Sequence, residues 1–523
     1  MNQPATASTA RRGFVSAAHW LTLFLLLAAG TAVRFLCLSC KPFWFDECFS
    51  VEAARIDWRN FLHLLWWREA NMSLYYVLLR IWLHFGQSPF FIRSLSVVIS
   101  VGTLPAVYWL ARQLYNRRIG LIAAALFAFN AFDVRYSQEV RSYALFVLLA
   151  TLSSGFMIAA LREPTRRNRI AYVVFSVLAV YAHFYALLLL AAQWLALRWL
   201  RNRSHVSEQQ LNPALSWQIR AGQLRSQWKI IGLAVIPVIV FVAKTGAGPI
   251  RWIPRPGLQD LIVFFEHLAG SNRWPLPALC AAAIVLAVLP LGRSLWSSNQ
   301  TWEVWRCQFL LIWLLFPTLL TVLLSFARPV FLARYMIFCL PALAILAAAG
   351  IARLRQAWLL GPVLAAMLLL GLHGTSYAYG HDYDSERDAS GAAVNFILDH
   401  TEAGDAILFH IAETRVPYEF FRSVRVGENT ASPHFDAQLG PEILFPRHGP
   451  GLDYRDFTGK PTSDFVRTAT MGHPRIWIML MNNGTADKPD PTTVMLTQIL
   501  PESFAQMQRW QFAKVEVRLY SRQ

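Results

Sequence analysis

The sequence predicts a mainly α, polytopic helical membrane domain followed by a small extracytoplasmic α/β domain. Its 523 residues are 55% hydrophobic and 14% aromatic but only 15% charged, whereas a soluble domain carries roughly 25% charged residues. Apolar windows able to cross or nearly cross a bilayer, about eleven of them, recur through the first 375 residues. Beyond about residue 375 the composition becomes that of a soluble domain. The net charge of +17 does not imply nucleic acid as a partner. The arginines stand in short clusters between apolar runs, and no basic run alternates with aromatics as a nucleic-acid surface would.

Residues 1–17 read as a cytoplasmic N-terminal tail and 18–375 as the transmembrane domain. The run Trp20–Leu38 is too long for a signal-peptide core and lacks a small-residue cleavage site, so it reads as a retained first span. Further windows lie near 91–111, 119–132, 142–161, 170–182, 184–200, 230–243, 275–291, 307–326, 334–350 and 357–373. With Arg11 and Arg12 in the cytoplasm, one set of alternate loops carries most of the arginine. Its members include Arg112, Arg117 and Arg118, then Arg162, Arg166, Arg167 and Arg169, then Arg198, Arg201, Arg203, Arg220 and Arg225, and later Arg293, Arg306, Arg353 and Arg355. That bias is the positive-inside pattern. The opposite loops, 41–90, 133–141, 244–274 and 327–333, face outside and hold most of the acidic residues.

Loop 41–90 is the first outer loop. Its segments EAARIDWRNFLHLLWW and SLYYVLLRIWLHF have helical apolar periodicity and suit two amphipathic helices in the headgroup region, with Trp58, Trp66, Trp67 and Trp82 in the aromatic belt. A transmembrane hairpin there would invert every later loop and spoil the arginine pattern. Residues 376–523 read as the α/β domain: a helix in SERDASGAAVNFILDH with Ser385 as N-cap, buried strands AILFHI and RIWIMLM, and a terminal strand or hairpin arm FAKVEVRLYS. An odd number of spans puts this domain outside. Cys37-x-x-Cys40 has redox or zinc spacing, but no second pair or nearby histidine completes a site, so it reads as structural.

Four constellations could carry chemistry. The first is Asp46-Glu47, wrapped in Phe43, Trp44, Phe45 and Phe49. Charges beside hydrocarbon are costly and usually functional. In an extended or turn segment the two side chains diverge, one facing a cavity while the other caps a helix; capping by both is the alternative. The second is AFDVRYSQEVRSYAL, with Asp133, Arg135, Gln138, Glu139, Arg141 and Tyr143; Glu139 and Tyr143 share a face if a helix begins there. Its arginines suit bidentate phosphate binding, or else pair with their acidic neighbours. The third is Tyr181, His183 and Tyr185, more commonly a belt arrangement than a ligand set. The fourth is Arg328 with Arg334-Tyr335, on a face where cations are otherwise sparse. Lys244, Arg251, Arg255 and Arg273, with Glu266 and His267, decorate a loop that could cover a lipid headgroup. Carboxylates suit deprotonating a hydroxyl and arginines suit a departing phosphate, which together suggest group transfer from a lipid phosphate.

The order FWFDE, FIRSLSVVISVGTLPAVYWLARQLYNRRIGLIAAALFAF, YSQEVRSYAL, YAHFYALLLL and ARYMIFCLPALAILAAAGI, over about 20–350, resembles bacterial GT-C superfamily glycosyltransferases. The likeness is greatest to the branch related to protein O-mannosyltransferases and the aminoarabinose transferase of lipid A. The segment 383–410 also resembles the start of their C-terminal domain. The resemblance implies a GT-C-like inner-membrane enzyme that takes sugar from a polyprenyl phosphate at the outer face and gives it to a lipid, glycan or protein. It makes Asp46 the candidate base, with Glu47 its neighbour, and Glu139, or less directly Asp133, an assisting or metal-binding acid. Arg141, Arg328 and Arg334 become candidates for the lipid phosphate, with Tyr335, His183, Tyr143 and Gln138 beside the donor. Metal dependence differs within the superfamily; a divalent cation, Mg or Mn, would fall to Asp46 and Glu139. Direct displacement would invert the anomeric carbon. Two other functions need similar residues: a lipid-linked sugar flippase, which more often shows inverted repeats and broken helices at the midplane, and a glycan polymerase or ligase using a lipid diphosphate.

Overall fold

A computed structural model describes all residues except 1–4, 203–219, 246–252, 272, 296–300, 382–386, 427–439, 447–450, 482–483, 486–487 and 523. Arg203, Arg251 and the expected N-cap Ser385 therefore lie outside the described residues. The chain forms two compact units: Met1–Leu38 with Ala70–Tyr75 and Arg93–His381, and Ser39–Glu69 with Tyr76–Ile92 and Asp382–Gln523.

In the first unit every apolar window is helical. Among the described residues seven helices are long and apolar enough to cross a bilayer: Ala17–Phe35, Pro89–Leu114, Tyr143–Arg162, Pro275–Gly292, Trp302–Ala327, Ala333–Ile351 and Ala357–Gly380. Two more windows form bent pairs, Arg117–Ala128 with Ala131–Ser137 at 61° and Arg220–Ala234 with Ile236–Thr245 at 43°. The last two fall on Arg166–Ala182 and Ala186–Asn202, each about 26 Å long at 1.5 Å per residue, a little short of the hydrocarbon core. The first helix begins at Ala5, inside the expected tail. Polar side chains set several starts: Asn116 accepts from Ile119 N (3.0 Å) and Thr165 from Asn168 N (3.2 Å), each ahead of an apolar run. Ala333–Ile351 is almost wholly buried and forms the centre of the unit. At Gly350 a Cβ would come within 1.7 Å of Ala283 O, so only glycine admits the Pro275–Val288 helix there.

The second unit holds a five-stranded sheet in the order β2-β1-β3-β7-β6, from β1 (Ala406–Phe409), β2 (Glu442–Phe445), β3 (Arg475–Met481), β6 (Gln506–Phe512) and β7 (Val515–Ser521); β4 (Gly484–Thr485) and β5 (Lys488–Pro489) form a small separate ribbon. β1 runs parallel to β2 and β3, and β7 antiparallel to β3 and β6. β3 is buried on both faces, as a central strand of a covered sheet must be. Trp477, Met479 and Met481 pack with Ala393, Val394, Ile397 and Tyr418 on one face. Ile476, Ile478 and Leu480 pack with Val466, Leu496 and Ile499 on the other. The expected strands and the helix Ser390–Asp399 are all present.

Of the first outer loop, Ser39–Glu69 and Tyr76–Ile92 belong to this same unit, whereas Ala70–Tyr75 belong to the first. The expected single helix through EAARIDWRNFLHLLWW is two, Phe45–Arg55 and Trp58–Trp67. Asp57 divides them because its side chain accepts from Arg59 N (3.0 Å) and Asn60 N (3.2 Å), starting a new helix. Trp58, Leu62 and Trp66, spaced four apart, stay about half exposed, as a face meant for lipid headgroups would. Phe45–Arg55 packs on the helix Arg415–Val426, and Phe43 stacks on Phe420 with centroids 4.9 Å apart.

Candidate active site

Asp46 and Glu47 lie in the first turn of the Phe45–Arg55 helix, not in the extended segment the sequence suggested. Helical geometry turns them about 100° apart, so they still face different surroundings. Neither is the N-cap. That position is Trp44, whose side chain offers no acceptor. Glu47 is fully buried, with Oε2 3.9 Å from Arg387 Nη1, while Asp46 is half-buried. Around them Phe49 meets Phe457 edge to face at 4.9 Å, and Arg68 donates to Glu413 and to Phe457 O. Further along the helix, Glu52 pairs with Arg55 (2.7 Å), whose other arm donates to Gln87.

The second constellation lies in the first unit. Asn130 caps the short helix Ala131–Ser137 by accepting from Phe132 N (3.0 Å) and Asp133 N (3.2 Å). Asp133 Oδ2 is 2.6 Å from Arg34 Nη2 and accepts from Ser100 Oγ at 2.8 Å; both charged side chains are buried. Arg34 also donates to Ser100 Oγ, Gly30 O and Ala128 O. Asp133 thus has the contacts of a structural ion pair. Gln138 Nε2 bonds Arg34 O (3.0 Å) and Leu36 O (2.7 Å), latching the end of the first helix. Glu139 is buried 3.7 Å from Arg135. It precedes the helix Tyr143–Arg162, so it does not share a helical face with Tyr143.

The third and fourth constellations meet. His183, the C-cap of Arg166–Ala182, lies 4.9 Å from Tyr335, 5.3 Å from Tyr185 and 6.2 Å from Tyr143 between ring centroids, and stacks on Phe146 at 5.0 Å. Tyr335 also contacts Tyr185 at 5.1 Å. Arg334 is buried with its guanidinium 5.8 Å from the Tyr335 ring, and Arg141 interacts electrostatically with His183, as Arg334 does. Ser325 Oγ accepts from Val330 N and Phe331 N, and Tyr185 donates to Val330 O, fixing the loop that leads into Arg334. Arg328 stands exposed at the end of Trp302–Ala327. A buried and a half-buried guanidinium group, with tyrosine rings around them, are a donor set for a phosphate ester.

The sequence reading did not reach Arg34, buried within an apolar run, nor Arg387 and Asp388, which meet the Asp46-Glu47 segment from more than 300 residues away. A lone arginine in a span was the available signal for Arg34; nothing local marks Arg387 or Asp388. Asp46 and Glu139, the suggested cation ligands, belong to different units, and among the described residues no three His, Cys, Asp or Glu side chains form a metal-holding group. Magnesium is commonly held by one or two carboxylates together with substrate phosphates.

No protein-family model matches the chain, and no curated protein matches its sequence. Solved structures do. ArnT from Cupriavidus metallidurans in the apo state aligns with a TM-score of 0.56 at 12% identity, covering 96% of this chain and 98% of that one. ArnT of the same organism bound to undecaprenyl phosphate aligns with a TM-score of 0.55 at 13% identity over the same shares. At this identity the likeness shows the fold alone: a polytopic helical domain with a C-terminal domain, as in ArnT.

Proposed function

We propose that the protein is an integral membrane glycosyltransferase that moves a sugar from a polyprenyl phosphate to an acceptor hydroxyl at the extracytoplasmic face. The observation that carries this reading is the convergence of Arg141, Tyr143, His183, Tyr185, Arg334 and Tyr335, drawn from three separated stretches of sequence, in a fold shared with a protein crystallised with undecaprenyl phosphate. Asp46 takes the acceptor proton as its oxygen bonds to the anomeric carbon. The bond from that carbon to the phosphate oxygen breaks with inversion, and the phosphodiester leaves as a monoester carrying one more negative charge. Arg141 and Arg334 stabilise that added charge, in surroundings dry enough to make them effective. Glu139, held beside Arg135, assists from the second outer loop, and Glu47 supports the helix that carries Asp46.

The outward placement of the first loop is supported by the disulfide just ahead of it. Cys37 and Cys40 are disulfide-bonded, and such bonds persist in oxidising compartments. With the arginine pattern, this supports an N-terminus in the cytoplasm of a bacterial cell and a C-terminal domain outside its inner membrane. In membranes supplied with a radiolabelled polyprenyl-phosphate sugar, Arg334→Ala is expected to lower kcat/KM for the donor about 100-fold, with Arg334→Lys intermediate because it keeps the charge but not the planar fork. Full activity in Arg334→Ala removes the phosphate assignment. Equal turnover by the parent protein of lipid diphosphate donors alone favours the polymerase or ligase reading.

A further inference from the structure

The helix that presents Asp46 begins without a cap of its own. Trp44 occupies the N-cap position and supplies no side-chain acceptor, although the first-turn N–H groups of a helix need partners from outside it. The chain meets that need from far away. Phe45 N–H donates to Asp388 Oδ2 at 2.8 Å, across 343 residues. The other oxygen of the same carboxylate accepts from Ser390 N (3.1 Å) and from the Ser390 hydroxyl, at the start of the helix Ser390–Asp399. That helix, too, lacks a side-chain cap from its own N-cap residue, Ala389. One buried carboxylate therefore closes the N-termini of two helices.

Its neighbour holds the approach. Arg387 Nη1 donates to Pro42 O at 3.1 Å and lies 3.9 Å from Glu47 Oε2, with its guanidinium 5.8 Å from the Trp44 ring. Phe45 packs against the sheet face that holds Ala393 and Trp477. The carboxylate oxygens of Asp388 are thus both spent on backbone or hydroxyl groups that fix the start of a helix.

We propose that Asp388 is a positioning residue for the reaction: it sets the first turn of the Phe45–Arg55 helix and thereby the direction in which Asp46 points. Two N-terminal helix dipoles favour its charged form, which opposes the rise in its pKa caused first by burial and also by the nearby Asp46 carboxylate. The inference rests on the base assignment of Asp46. It gives the C-terminal domain a part in turnover that does not require it to touch either substrate.

Asparagine at 388 keeps the shape but must turn its amide N–H2 toward either Phe45 N–H or Ser390 N–H, so one donor faces another. Alanine leaves both unsatisfied. In the full chain in membranes, kcat per folded enzyme is expected to fall about 10-fold in Asp388→Asn and about 100-fold in Asp388→Ala, the loss that misplacement by roughly 1 Å can produce, with KM for the polyprenyl-phosphate sugar unchanged. Unchanged kcat per folded molecule, or a loss confined to KM or to the amount of folded protein, overturns the proposal. If the alanine variant does not accumulate, Asp388→Asn decides on the same criterion. Hydrogen exchange gives a readout independent of activity: the peptide covering 42–50 should exchange at least 10-fold faster in Asp388→Asn, and unaltered exchange there also overturns the proposal. Asp46→Asn is assayed in parallel. Full turnover in that variant removes the base assignment, whereas an inactive Asp46→Asn beside fully active Asp388 variants removes only the positioning role.

Discussion

Replacing Asp133 by alanine strands a buried cation. Arg34 and Asp133 are both buried, 2.6 Å apart, and Ser100 Oγ bonds to both. Removing one partner of a buried pair costs about 3–5 kcal/mol, because the remaining charge stays desolvated. Arg34 keeps hydrogen bonds to Gly30 O and Ala128 O at 2.9 Å, which places the cost near the lower end, about 3 kcal/mol. If the pair forms late in folding, that cost falls on unfolding and shortens the thermal-inactivation half-life about 100-fold. The assay is inactivation of the purified protein in lipid nanodiscs, with turnover measured on the surviving folded fraction. Asp133→Ala should be short-lived yet turn over normally per folded molecule. Arg34→Met combined with Asp133→Ala should recover most of the lifetime, since an apolar replacement of both charges is often neutral. An Asp133→Ala variant as long-lived as the parent but inactive would refute the structural role and return Asp133 to the chemistry.

Two other expectations concern the loop and the soluble domain. Burial pushes the His410 imidazole down to about 4, against an ordinary value of about 6.5. The folded unit therefore refuses a proton that the unfolded chain accepts, and stability, complete above about pH 6.5, declines as pH falls toward 4 by about 3 kcal/mol in all. Denaturant titration of the second unit within the whole protein should show that loss, and His410→Asn should remove it; an identical pH profile in the variant contradicts it. Cys48, Cys280, Cys307 and Cys339 are buried thiols. A membrane-impermeant maleimide should therefore label intact cells only after an impermeant reductant opens the Cys37–Cys40 bond, and labelling that requires permeabilisation contradicts the orientation.

The spans and strands were legible because each is written in a local period. β3 reads as an apolar run because both its faces are covered, and every apolar window proved helical. The bends were not legible: the break between Ala128 and Ala131 is set by Asn130, whose side chain caps a new helix inside an otherwise apolar stretch. The first outer loop shows the same limit more sharply. Its Asp46-Glu47 pair was visible as two costly charges, but Trp44 carries no capping signal, so nothing local announced a helix beginning at Phe45. The acceptor that allows it to begin is Asp388, in sequence a plain acidic residue in a polar stretch. Likewise, the meeting of His183 with Tyr335 depends on how the spans pack, whereas His183 alone reads as an ordinary member of an aromatic belt.

The most direct test of the central claim is transfer of labelled sugar from a polyprenyl phosphate by the membrane-embedded parent protein beside Asp46→Asn. The account predicts measurable transfer by the parent and a loss of about 100-fold or more in kcat for Asp46→Asn, with the variant still binding polyprenyl phosphate. Undiminished transfer by Asp46→Asn would contradict it.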